Sequence, residues 1–584
     1  MDNVKTRWIE LVAGGLAEAA REKGLSAENL KDRIIVETPP RSEMGDLAFP
    51  MFPFAKDFRT APPVIAGLVA EKLAETVEGE VRTAGPYLNV FLDRAGVTAS
   101  LLEDVSRLGG CYGESDYLKD QKIMLEFSCP NTNKPLHLGH LRNDAIGEST
   151  ARILIASGAD VQKVNLINNR GVHICKSMLA YQKFGEGMTP ESTGIKGDHL
   201  VGNFYVRFNQ WAKEDSTAET QAQEMLRKWE AGDPEVNELW ETMNRWTIDG
   251  IRETYEKTNV SFDRYYYESD TYLSGRDEIL KGLEKGVFYK DEDGSIRLDL
   301  SEIGMDTKVL LRSDGTSVYI TQDIGTAIAR HGDFPFDRLI YVVGAEQEYH
   351  FQVLFHALKK LGYDWADMLY HLSYGMVNLP EGKMKSREGT VVDADDLLVN
   401  LSEMAKEEII SKDRAEAVGN VDETAGKIAL AALHYFLLQV SPTKDMIFNP
   451  RESLSFNGNT GPYLQYMSAR ICSMLDKYEE RSAEFEGAQL DCSILNSDAE
   501  WELVKLLSNY PSAVRQAAKE LNPSVVSGHI YDLAKAFSRF YHDCPILGSG
   551  DANLTRSRME LTGAVLQVLK NGFALVNIPF LSKM

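Results

Sequence analysis

The sequence predicts an α/β protein: a doubly wound parallel sheet carrying insertions, with a small α+β domain before it and an all-α bundle after it. Three observations predict it. Lys122–Phe127 and Val161–Ile167 are short apolar runs, and an apolar-periodic helix over about Leu138–Ser157, stopped at Gly158, lies between them. Strand, crossover helix and parallel strand make one doubly wound unit. The pattern returns as a strand at Arg338–Val343, a helix at Gln347–Leu361 and an extended segment at Met368–Leu379. From about residue 396 onward helical periodicity dominates, most clearly around Lys427–Leu438, and the final stretch reads as a bundle.

Taken in order, residues 1–108 mix helical stretches with β-like runs at Arg33–Val36 and Tyr87–Leu92, and Gly and Pro punctuate 45–52 and 84–92. The first helix is amphipathic, with Trp8, Leu11, Val12, Leu16 and Ala19 on its apolar side, and lacks the continuous apolar core of a signal peptide. A boundary falls near Gly109-Gly110. Residues 109–395 read as the Rossmann-type domain, interrupted at about 181–265 by a polar insertion with its own helices. A helical connection covers 396–450, and a helical domain covers 451–584.

The chain has 584 residues, 43% hydrophobic and 26% charged, with a formal net charge of −24. No uncharged apolar run reaches the roughly 18 residues of a membrane span, so no membrane partner is expected. Six cysteines without a CxxC pair point to reduced thiols in a cytoplasmic protein, with no structural metal. Taken globally, −24 argues against a polyanionic partner. Charge acts locally, however: residues 451–584 hold 13 Lys and Arg against 15 Asp and Glu, and 511–584 hold 8 against 5. The acidity therefore lies mainly in the first 450 residues.

Two stretches carry chemistry. In EFSCPNTNKPLHLGHLRND (126–144), His137-Leu138-Gly139-His140 stands where a loop enters a helix N-terminus. Unpaired N–H groups and the helix dipole favour an anion there. Imidazoles three positions apart share one face of the first turn, and Gly139 removes a side chain where a nucleotide approaches. In EGKMKSREGTVV (381–392), Lys383, Lys385 and Arg387 sit in a Gly-bounded loop suited to a triphosphate and its departing pyrophosphate. The sequence contains no GxSxG, GxxxxGK[ST] or HExxH motif.

In this order, about 240 residues apart, the two stretches resemble the HIGH and KMSKS signatures of class I aminoacyl-tRNA synthetases. FSCPNTNKPLHLGHLRN, YITQDIGTA, GAEQEYHFQ and FNGNTGPYLQY narrow the resemblance to the arginyl-tRNA synthetases, over essentially the whole chain. The resemblance implies that arginine attacks the α-phosphate of ATP, accompanied by Mg²⁺, and that the arginyl group passes to the 2′-hydroxyl of the terminal adenosine of tRNA(Arg). It implies phosphate contacts from Lys134, His137, His140 and Lys383, with Gly139, Met384 and Lys385 beside the nucleotide.

For arginine, whose guanidinium presents a planar fork of donors, the matching acids are Glu126 and Asp323, with Tyr319 alongside. Ser128, Asn131, His137 and Gln347 match positions at the amino acid's backbone end. Against K-M-S-K-S the loop reads Lys383-Met384-Lys385-Ser386-Arg387, so Ser386 stands at the second lysine position. Lys134 is expected to take that lysine's role, with Lys385 the alternative. The resemblance also implies a D-arm-binding N-terminal domain, touching tRNA through Asn89 and Phe91, and an anticodon-binding C-terminal domain. Tyr463, Tyr466, Tyr531, Phe540 and Tyr541 are the stacking candidates there. Activation that depends on bound tRNA, a monomeric state and the absence of editing complete the expectations. Another class I synthetase, a small nucleotidyltransferase and an inactive RNA-binding paralogue are the alternatives. Paired acids argue against a synthetase for an acidic amino acid, chain length against the second alternative, and the intact histidines against the third.

Overall fold

A computed structural model describes residues 2–26, 28–74, 79–272, 274–378, 380 and 392–584. The signature residues Lys383, Met384 and Lys385, with Ser386 and Arg387, lie outside the described residues. Contacts divide the chain into two compact units. One comprises residues 1–113, 467–513 and 529–571, and the other residues 114–466, 514–528 and 572–584.

In the first unit, α1 (Asp2–Glu22) and α2 (Pro62–Leu73) accompany an antiparallel sheet of β1 (Leu47–Pro50), β2 (Gly79–Ala84) and β3 (Tyr87–Leu92), with β3 in the middle. Trp8, Val12, Leu16 and Ala19 of α1 are buried, so the apolar side read from the sequence is the core side. Arg33–Val36 departs from its β-like reading: a 3₁₀ turn spans Lys31–Arg33, and pairing begins only with the isolated bridge Glu37–Ala48. Helix α3 (Arg94–Leu108), capped by the Asp93 carboxylate on Gly96 N–H at 3.1 Å, precedes Gly109.

The second unit is built on a five-stranded parallel sheet. In chain order its strands are β4 (Lys122–Glu126), β5 (Asp160–Ile167), β6 (Arg264–Tyr267), β7 (Arg338–Gly344) and β8 (Leu369–Tyr374). Their spatial order is β8-β7-β4-β5-β6. Strand order therefore reverses between β4 and β7, and the crevice outside the carboxyl ends of those two strands is where such sheets bind ligands. Helix α4 (Leu138–Ala156) crosses from β4 to β5. It lies close against the chain after β4 because Gly147 has no side chain, and a Cβ there would collide with the Phe127 ring. Arg142 of α4 is fully buried and donates to Met376 O at 2.8 Å and Lys444 O at 2.5 Å, so this basic residue of the motif is structural.

Helices α5 (Val172–Phe184), α6 (Gly197–Glu214), α7 (Ala218–Glu230) and α8 (Pro234–Thr258) form the helical insertion between β5 and β6. Then α9 (Tyr319–Asp333) leads into β7, and α10 (Glu348–Leu361) follows it. Helices α11 (Ala394–Ser411) and α12 (Val421–Leu438) open the helical C-terminal part, which continues as α13 (Gly461–Glu480), α14 (Asp498–Glu520), α15 (Ser524–Asp543) and α16 (Ala552–Leu575). Among the described residues no helix is long and apolar enough to cross a membrane.

Candidate active site

Beyond Glu126 the chain does not leave the sheet at once. Asn131 and Asn168 bridge in parallel past the ends of β4 and β5, with Thr132 N–H on Asn168 O at 3.1 Å. Between Glu126 and Asn131, Ser128 and Cys129 both hold left-handed backbone, at φ 72° and 49°. Two consecutive non-glycine residues there are strained, by about 1–3 kcal/mol each, and the surroundings hold them in place. Asn143 accepts from Ser128 N–H at 2.5 Å, and Asn165 accepts from Cys129 N–H at 3.2 Å. Tyr255 O–H joins Ser128 Oγ at 2.7 Å and Asn165 Nδ2 at 3.0 Å. The Ser128 side chain is thus engaged with the insertion helix α8, while Asn131 is exposed.

His137 and His140 form a reciprocal capping box for α4. Gly139 N–H donates to His137 Nδ1 at 3.1 Å, and His137 N–H donates to His140 Nδ1 at 3.1 Å. A backbone N–H can only donate, so both Nδ1 atoms are acceptors and each neutral ring carries its proton on Nε2. The rings lie 3.9 Å apart between centroids. Burial, and secondarily the charge of Lys134, hold the His137 imidazole down at about 4; burial holds His140 well below its ordinary 6.5. Burial also lowers Lys134. At neutral pH the histidines are paired Nε2–H donors rather than cations. Gly139 has a local role as well: a Cβ there would stand 2.9 Å from His137 Cε1 and press on the capping ring.

The far side of the motif is tied to the chain that follows the second signature. Leu138 N–H donates to Val392 O at 3.1 Å and Ala394 N–H to Leu136 O at 3.0 Å. A cavity of about 210 Å³ opens beside Lys134 and His137, with His199, Asn203, Tyr205 and Asp393 on its wall. Behind it, the carboxylates of Asp198 and Asp395 and the His199 ring are close enough to suit a metal ion. The ammonium of Lys196 already sits among them, 3.1 Å from Asp198 Oδ2 and 2.6 Å from Asp395 Oδ2.

Each predicted arginine-binding acid has a basic neighbour. Glu126, buried at the end of β4, is ion-paired through Oε2 with Nη2 of the buried Arg330 on α9. Burial leaves the Glu126 carboxyl above its ordinary range; Arg330 pulls it part of the way back, and the Asp323 charge on the same helix as Arg330 pushes it further up. Asp323 Oδ2 lies 2.6 Å from His350 Nε2 on α10. Tyr319 is exposed at the first turn of α9, and Gln347 is exposed as the N-cap of α10. Arg330 escaped the sequence reading, although it follows Asp323 by seven residues, two turns along one helix face. His350 belongs to the GAEQEYHFQ motif at the start of α10, and the structure pairs it with Asp323.

Of the tRNA candidates, Asn89 is buried in the central strand β3, and Phe91 is half-buried with the Arg82 guanidinium 4.3 Å over its ring. Tyr463 and Tyr531 are half-buried, and Tyr541 is exposed with Arg470 4.7 Å over its ring. Phe540 has no exposed surface: it is a core residue that cannot stack on a base, which corrects its place among the stacking candidates.

A sheet reversed at β4/β7 with a histidine-capped helix at that reversal defines a class I aminoacyl-tRNA synthetase site. Comparison with family models matches residues 108–450 to the class I tRNA synthetase (R) catalytic domain. The same comparison matches 7–92 to the arginyl-tRNA synthetase N-terminal domain and 464–584 to the DALR anticodon-binding domain. The chain belongs to the arginyl-tRNA synthetase family. It is 56% identical to an arginine–tRNA ligase of Treponema denticola and 53% identical to one of Treponema pallidum, in both cases over 100% of both chains. The solved arginyl-tRNA synthetase of Thermus thermophilus superposes with a TM-score of 0.77 at 25% identity, covering 98% of this chain and 99% of that one.

Proposed function

We propose that this chain is an arginine–tRNA ligase that activates L-arginine with ATP and transfers it to the 2′-hydroxyl of the terminal adenosine of tRNA(Arg). The observation that carries the reading is the histidine capping box on the helix that follows β4, the strand at which the sheet order reverses. A carboxylate oxygen of arginine attacks the α-phosphorus, the bond to the bridging oxygen breaks, and pyrophosphate leaves. The ribose hydroxyl then attacks the activated carbonyl and AMP leaves. Neither step needs a protein nucleophile, so catalysis is positioning and charge stabilisation.

Nε2–H of His137 and His140 donate to the α-phosphate oxygens as negative charge builds, and the α4 dipole adds to them. Lys134 neutralises the departing pyrophosphate at the cavity it lines, and Lys383, Met384 and Lys385 belong to the same nucleotide site by their motif positions. Mg²⁺ arrives with ATP as part of the substrate. Glu126 and Asp323 divide the guanidinium fork between them, with Tyr319 beside it. Ser128, Asn131 and Gln347 hold the backbone end of the amino acid. A lysine substrate offers no fork, so part of the acid pair, including the buried Glu126, is left unfilled and arginine is selected without editing.

The N-terminal domain (1–108) takes the D-arm, with the half-buried Phe91 on its sheet and Asn89 buried beneath the surface, and residues 451–584 take the anticodon loop, with Tyr463 and Tyr531 as stacking residues. The enzyme works as a monomer in the cytoplasm. A charging assay with total tRNA and each of twenty amino acids tests the reading: arginine alone is expected to become acid-precipitable, and a different or absent product overturns it. ATP–pyrophosphate exchange is expected to be nearly silent until tRNA(Arg) is added.

A further inference from the structure

We infer that Arg330 is a positioning residue for substrate recognition: by ion-pairing with Glu126 from behind, it keeps that carboxylate charged and aimed at the incoming guanidinium. The inference rests on the reading of Glu126 as an arginine-binding acid and goes one layer deeper than it. A guanidinium does not lose its proton in a protein, so the fully enclosed Arg330 is a cation and requires a counter-charge. The acid in contact with it is Glu126. Arg330 is itself held in place by packing, its guanidinium 5.0 Å from the Tyr266 ring centroid and 5.9 Å from that of Tyr341. It has 1% of its surface exposed, so it cannot be the group that meets substrate.

The groups facing Glu126 are Arg330 and Asp323 from α9, Tyr341 from β7 and the Cys129 thiol from its own loop. Arg330 is the cation among them. Without it, a buried carboxyl beside the negative Asp323 would pick up a proton. A neutral acid presents an O–H towards the substrate's N–H donors and loses the ionic attraction, so arginine would be bound weakly. The arrangement also explains how two acids can wait in one crevice for a cation that has yet to arrive: an internal guanidinium compensates one of them in the empty site, and His350 bonds to the other.

The experiment compares Arg330→Met, Arg330→Lys, Glu126→Gln and the double variant Glu126→Gln/Arg330→Met in aminoacylation by the full-length enzyme. Arg330→Met is expected to raise KM for arginine roughly 10- to 100-fold at pH 7 with KM for ATP unchanged. Its KM for arginine should fall as pH rises from 7 to 9 and Glu126 loses its proton, while the parent stays flat. Arg330→Lys should recover part of the loss, and the double variant should be no worse for arginine than Glu126→Gln alone. If Arg330→Met does not fold, Arg330→Lys and the double variant carry the same comparison. A parental KM for arginine in Arg330→Met, or equal and pH-independent losses for arginine and ATP, overturns the inference. A parental KM for arginine in Glu126→Gln instead overturns the reading of Glu126 on which it rests.

Discussion

At the scale of single residues, the histidine pair caps a helix with the same rings that the proposed mechanism sets against the α-phosphate. Each Nδ1 is occupied by a backbone N–H, so folding the first turn of α4 selects the tautomer that leaves Nε2–H outward. A second proton would have to sit on Nδ1, opposite an N–H, in a buried site next to Lys134, and this keeps the rings neutral. The two roles separate by substitution. His137→Asn retains an oxygen acceptor at the N-cap and loses the outward donor. Thermal unfolding should then move by no more than about 1 kcal/mol in stability, while kcat falls roughly 10²- to 10³-fold. A kcat within twofold of the parent would show that His137 does not meet the phosphate.

At the scale of elements, the stretch after β4 is held in a strained shape by its neighbours. The left-handed Ser128 and Cys129 are kept by Asn143 of α4, Asn165 of β5 and Tyr255 of α8, so three elements meet at one loop. Asn165 has no exposed surface, and both ends of its amide are used. Asn165→Ala should therefore destabilise the protein by about 2–3 kcal/mol. It should raise KM for arginine more than KM for ATP, because the loop it steadies carries Ser128 and leads on to Asn131. Urea denaturation and steady-state charging read the two effects, and an unchanged unfolding midpoint would remove the argument.

At the scale of the whole molecule, pH and charge are the levers. His434 Nδ1–H donates to Asn577 O at 2.7 Å, and burial holds its imidazole at about 4, as for His137. The unfolded chain takes up those protons near 6.5. The contribution of each neutral ring is complete above that pH and is lost as pH falls from 6.5 towards 4, on the order of 2 kcal/mol each by pH 5. The urea midpoint should drop between pH 7 and pH 5, and His434→Gln should flatten the drop; a parental midpoint constant over that range excludes it. The net charge of −24 resides mainly in the first 450 residues. Under the proposed function, diffuse negative charge of that kind would discourage indiscriminate polyanion binding and leave anticodon recognition to the near-neutral C-terminal region. Converting about ten exposed acids of the first 450 residues to amides should strengthen binding of non-cognate RNA in low salt, and unchanged binding would dismiss the idea.

The sequence by itself determined the βα order of the sheet, the helix that begins at the paired histidines and the acids at motif positions. Apolar periodicity and helix-start chemistry are local, and they are written in residues a few places apart. What only the tertiary structure decided lies between residues far apart in the chain. Arg330 meets Glu126 across more than two hundred residues because α9 and β4 share one apolar core; its spacing from Asp323 marks the helix face it lies on but not the acid it meets. Asn89 and Phe540 show the same limit from the other side. A polar residue in a strand and an aromatic on a helix look available to RNA until packing determines which face is inside, and that depends on every element laid against them.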